Sequence, residues 1–73
     1  MFDKEKFSFR IRKLRRDANI SQTVLAEVVG VSTNQISEME KGAKLTSLPK
    51  LCLLCDYFNV SADYLLGRTD EPN

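Results

Sequence analysis

The sequence predicts an all-α domain of five short helices. Three observations carry that expectation. Ser21, Ser32, Ser47 and Ser61 each stand just before a run of apolar residues at helical spacing, where a hydroxyl can accept from an unpaired first-turn amide. Almost no stretch of the chain alternates with the period of two that a half-buried strand requires. The spacers between the runs are short, as in a small helical bundle.

Each element has its own signal. In the first helix Phe7, Ile11, Leu14 and Ala18 make one stripe, with Asp3 as N-cap and Asn19 suited to the left-handed residue that ends it. Ser21 caps a second helix carrying Leu25, Ala26 and Val29 and stopping at Gly30. Ser32 caps a third, with Gln35 at capping-box spacing and Ile36 and Met39 facing inward until Gly42. Ser47 caps a fourth, with Pro49 in a first turn where a missing N–H is harmless. Its expected buried stripe is Leu48, Leu51, Cys55 and Phe58. Ser61 caps a last short helix with Leu65 and Leu66, ending at Gly67. Residues 1–67 are expected to form the domain and residues 68–73 a flexible C-terminal tail.

Seventy-three residues leave room for one small core. There is no histidine, so neither a histidine-based triad nor a histidine metal site can be assembled within one chain. Cys52 and Cys55 are the only cysteines, too few for a tetrahedral zinc site in a monomer or a disulfide framework. With no βαβ pattern around them, they are expected to be small buried apolar positions of the fourth helix. No metal, no cofactor and no enzymatic activity are expected. The apolar runs are too short to span a membrane, and the charged start does not lead into a signal-peptide core. A reduced, cytoplasmic protein is the expectation.

The formal charge is only +1, which by itself argues against a partner as anionic as nucleic acid. Its distribution says more. Residues 1–16 hold seven basic and two acidic side chains, residues 17–50 three and four, and residues 51–73 one and four. The chain is therefore basic at its N-terminal end and acidic at its C-terminal end, which fits a domain with one face toward an anion.

Residues 22–41 pair two helices of about two turns around Val29-Gly30-Val31-Ser32, the pattern of a helix-turn-helix. Ala26 is small where the helices meet, and Gly30 can take the positive φ that turns the chain. The outer face of the third helix is then Thr33, Asn34, Ser37, Glu38 and Lys41. With its flanks, this stretch resembles the Cro/cI-type (XRE) helix-turn-helix family, the fold of the phage lambda and 434 repressors. The strings that carry the resemblance are Ile11-Arg12-Lys13-Leu14-Arg15, Ile20-Ser21-Gln22, Leu25-Ala26-Glu27 and Val29-Gly30-Val31-Ser32. It continues through Ile36-Ser37-Glu38-Met39-Glu40-Lys41-Gly42 and Val60-Ser61-Ala62-Asp63-Tyr64-Leu65-Leu66-Gly67.

The resemblance implies a compact five-helix, lambda-repressor-like domain that binds double-stranded DNA. It implies that Thr33 and Asn34 read bases at the start of the recognition helix, with Ser37 and Glu38 one turn on. Asn can bond adenine bidentately, and a Thr methyl can touch that of thymine. Glu38 departs from the usual pattern: it either accepts from cytosine N4 or turns aside and penalises wrong sites. Phosphate contacts are implied for Gln22 and Ser32, at helix N-termini, and for Lys41 and Lys44. Arg10 is a further candidate. Arg15 and Glu40 are implied to form a structural ion pair. The apolar excess at Val24, Val28, Leu53 and Tyr57, together with Tyr64, suggests a homodimer interface built from Leu53, Tyr57 and Tyr64. The expected function is a sequence-specific transcriptional regulator, a repressor, acting on a near-palindromic operator. The alternative is an antitoxin-like or partner-dependent interaction module of the same fold.

Overall fold

The computed structural model describes residues 1–73. Five helices follow one another: α1 (Lys4–Asp17), α2 (Gln22–Val29), α3 (Thr33–Glu40), α4 (Leu48–Phe58) and α5 (Ala62–Leu65), with no strand. Every start is made by the side chain the sequence singles out. The Asp3 carboxylate accepts from the Lys6 N–H at 3.1 Å. Ser21, Ser47 and Ser61 accept from Val24, Lys50 and Tyr64 at 3.1, 3.4 and 3.1 Å. At α3 the box is reciprocal: the Gln35 N–H donates to Ser32 Oγ and the Ser32 N–H to Gln35 Oε1, both at 3.1 Å. Two of the four orphan amides of that first turn are thereby satisfied.

The core is Phe7 and Ile11 from α1, Leu25, Ala26 and Val29 from α2, Ile36 and Met39 from α3, Leu51 and Leu54 from α4, and Leu65 from α5. α3 packs on both α1 and α2, α4 on α2 and α5, and α5 returns to α1. The closure of the ends depends on Gly67, which has φ +78°. A Cβ there would lie 2.6 Å from that of Asp3. Its absence lets the end of α5 approach the α1 cap, where the Asp3 N–H donates to the Leu66 carbonyl at 2.8 Å.

Three expectations about packing are corrected. Leu48 is 77% exposed, whereas Leu54 is fully buried. The buried stripe of α4 is carried by its middle, through Leu51 and Leu54, whereas Leu48 in the first turn faces away from the core. Cys52 is exposed and Cys55 only half-buried; burial pushes the Cys55 thiol pKa up, with smaller contributions from Cys52 and Asp56. Val28 is half-buried against the core rather than part of a surface pair with exposed Val24.

The segment expected as a flexible tail lies against the domain. The Arg68 N–H donates to the Asp63 carbonyl at 2.9 Å, and the Ser61 N–H to the Pro72 carbonyl at 2.7 Å. Arg10 Nη1 donates to the Thr69 carbonyl at 2.7 Å and Nη2 to Asp70 at the same distance.

Candidate nucleic-acid interface

The turn between α2 and α3 is built as its residues require. Gly30 has φ +79°, and the N–H groups of Gly30 and Val31 both donate to the Ala26 carbonyl, at 2.8 and 3.0 Å. Ala26 is buried at the helix contact. Lys50 Nζ reaches across from α4 to the Gly30 carbonyl at 3.4 Å, a long bond that neutralises the end of α2 from another helix.

Beneath α3 lies a polar latch. Arg15 Nε donates to Glu40 Oε2 at 2.6 Å and Arg15 Nη2 to Glu40 Oε1 at 3.1 Å. Gln22 Nε2 donates to the same Oε1 at 3.1 Å, and Arg15 Nη1 to the Ile20 carbonyl at 3.0 Å. The side chains are 13% and 4% exposed for Arg15 and Glu40. The bond to Glu40 holds the Arg15 pKa above its ordinary value against the opposing effect of burial. This bidentate geometry ties α1, the start of α2 and the end of α3 into one unit. Gln22 thus has one amide N–H committed inward, and the rest of its carboxamide remains at a half-buried surface position.

The outer side of α3 presents Thr33 and Asn34, both exposed, and Ser37 and Glu38, both half-exposed. Thr33 Oγ1 donates to Thr23 Oγ1 at 3.3 Å across the turn. Asn34 Nδ2 donates to Glu38 Oε1 at 2.9 Å. Ser32 is exposed beside them, its oxygen occupied as the α3 cap. Lys41 and Lys44 follow in the exposed loop, with no carboxylate within ion-pair distance. These residues form one continuous polar surface from the start of α3 to the loop after it.

Arg10 does not join that surface, which corrects the expectation of a phosphate contact. It is buried; Nη1 donates to the Tyr64 and Thr69 carbonyls and Nη2 to Asp70. Its guanidinium carbon stands 4.2 Å over the Tyr64 ring. Tyr64 is accordingly half-buried and occupied from within the chain. Of the three residues expected at a subunit interface, only Leu53 and Tyr57 are openly presented, each 44% exposed. The sequence reading missed Thr23 and Lys50. Both lie ten or more positions from their partners: the closed turn brings Thr23 to Thr33, and the packing of α4 on α2 brings Lys50 to Gly30.

A small all-helical domain with a rigidly latched second helix of a helix-turn-helix and an open polar outer face belongs to the nucleic-acid-recognition class of folds. The helix-turn-helix family model matches residues 11–65, and the chain belongs to that family. It is 36% identical over 64 residues to an uncharacterized helix-turn-helix-type transcriptional regulator of Bacillus subtilis, YobD, covering 88% of this chain and 57% of that protein. It is 33% identical over 63 residues to the antitoxin PezA of Streptococcus pneumoniae, covering 86% of this chain and 40% of that one. The chain therefore spans about half the length of these curated relatives. Among solved structures it is similar to the P22 c2 repressor in complex with a synthetic operator, with TM-score 0.78 and 35% identity, covering 82% of this chain and 91% of that one. No helix of the chain is long and apolar enough to cross a membrane.

Proposed function

We propose that this chain is a sequence-specific, double-stranded-DNA-binding transcriptional regulator of the cytoplasm, acting as a repressor. The observation that carries the reading is the latch. Arg15, Glu40 and Gln22 hold the inner side of α3, so that its outer side reaches a major groove as a rigid edge. Thr33, Asn34, Ser37 and Glu38 then face base edges, while Gln22, Ser32, Lys41 and Lys44 face phosphates. The likeness to a repressor solved with operator DNA supports the same docking.

Two subunits, joined through Leu53 and Tyr57, would read half-sites about 34 Å apart on a near-palindromic operator. With Lys41 and Lys44 as the charged phosphate contacts of each subunit, the slope of log affinity against log salt should lie near −0.9 per lysine, roughly −4 for the dimer. The test is selection from random duplexes followed by binding across a salt series. A palindromic motif with that slope is expected. The absence of any enriched motif defeats the proposal.

A second reading has its own support. Leu53 and Tyr57 form an exposed apolar pair, and one relative is an antitoxin. An antitoxin-like role through a protein partner predicts stoichiometric co-purification of that partner, and no DNA motif for the chain alone.

A further inference from the structure

The bond between Asn34 and Glu38 is the feature of the α3 surface that a list of separate base contacts does not use. Asn34 Nδ2 donates to Glu38 Oε1 at 2.9 Å, both side chains lying on the outer side of the helix. A carboxylate only accepts, so Glu38 dictates which end of the Asn34 amide turns toward it. One N–H of Asn34 is engaged, leaving its second N–H and Oδ1. Those are the two groups a bidentate contact to adenine N7 and N6 requires. Glu38 Oε2 accepts from no side chain of this domain, and no lysine or arginine lies within ion-pair distance of the carboxylate. In a major groove, that oxygen is matched by cytosine N4 and opposed by the acceptors O6 and N7 of guanine and O4 of thymine.

We infer that Asn34 and Glu38 act as one recognition unit, in which Glu38 is the positioning residue for the Asn34 amide and also the acceptor for a cytosine. The inference rests on the DNA-binding reading above. Four residues of helix advance about 6 Å along the axis, so the adenine and the cytosine belong within one or two base-pair steps of each other at about 3.4 Å per step. The carboxylate is thereby a selective element within the groove rather than a flaw in it: it penalises acceptor-bearing bases beside it while fixing the amide that reads the next one.

The test uses the full chain and its selected duplex, with every single-base change at the two positions. Binding is measured for the wild type, Asn34→Ala, Glu38→Ala, Glu38→Gln and the double Asn34→Ala/Glu38→Ala variant. Glu38→Ala should flatten discrimination at both positions, by roughly five- to a hundred-fold at each. Asn34→Ala should flatten the adenine position alone, and the double variant should lose no more there than either single one. Glu38→Gln keeps an oxygen for Asn34, so it should restore the adenine preference and leave the cytosine preference lost. A Glu38→Ala variant that changes only the cytosine position overturns the unit, as does one that binds all duplexes more tightly to the same degree. In the free protein, the Asn34 side-chain amide proton resonances should shift in Glu38→Ala and return in Glu38→Gln; an unmoved resonance in Glu38→Ala also overturns it. A wild-type chain that selects no motif fails earlier, and removes the DNA reading together with the unit.

Discussion

Glu38 and Glu40 stand two positions apart on α3, in opposite surroundings. Glu40 is only 4% exposed at its side chain and accepts from Arg15 twice and from Gln22 once. Glu38 is half-exposed and accepts from a single side-chain donor, Asn34, on the outer face. The inner carboxylate is saturated and structural; the outer one keeps an oxygen that no side chain of the domain bonds. The same division sorts the basic residues of α1. Arg10 and Arg15 both turn inward, to carbonyls and carboxylates of other elements. A charge in the sequence therefore counts toward an anionic partner only after the fold has shown which side it faces. The basic excess of residues 1–16 overstates what is available outside.

The largest expected effect breaks the inner side. Glu40→Ala leaves the Arg15 guanidinium buried with only the Ile20 carbonyl, and should cost about 3–5 kcal/mol. That is a large share of the roughly 5–15 kcal/mol by which a domain is stable. Glu38→Ala, on the outer side, should stay within about 0.5 kcal/mol of the wild type. Urea unfolding of the two variants side by side checks the contrast. Equal losses would mean that the two carboxylates do not differ as their burial says.

A smaller effect is expected at Arg10, whose replacement separates its structural role from any role on DNA. Arg10→Met keeps much of the packed stem but removes the donors to Tyr64, Thr69 and Asp70. A loss of about 2 kcal/mol is expected, with amide exchange accelerated first in residues 68–73. The salt slope of DNA binding should be unchanged. A slope lower by about 1 per subunit would return Arg10 to the phosphate contacts.

Much of this was legible in the sequence, and the reason is range. Caps act over three residues, so Asp3, Ser21, Ser32, Ser47 and Ser61 announced all five helices from neighbours alone. The stripe of α4 depends on which part of the helix meets α2 and α5, so periodicity placed Leu48 inside and missed Leu54. Arg10 meets partners 54 to 60 positions away, and no local pattern points to them. The polar character of the outer face of α3 follows from its residue types, but its bonds do not: Asn34 and Glu38 have the i, i+4 spacing at which helical side chains meet, and only the side-chain conformations of the folded helix decide that they do.

The smallest expected effect lies where an inner arginine meets an outer carboxylate. Asp70 is 80% exposed, yet it receives Arg10 Nη2 at 2.7 Å and Lys6 Nζ at 3.2 Å. The hydrogen bond from Arg10, followed by that from Lys6, holds its carboxyl below the usual carboxylate range. A carboxyl lowered by folding contributes stability above its unfolded pKa, near 3.9, and loses that contribution as pH falls through its folded value. Asp70→Asn should therefore be slightly less stable than the wild type at neutral pH, and the gap should close on acidification below about pH 4. Urea midpoints of the two proteins between neutral pH and about pH 2 measure this. A gap that persists undiminished at the acid end would show that the Asp70 contribution is not carried by its charge.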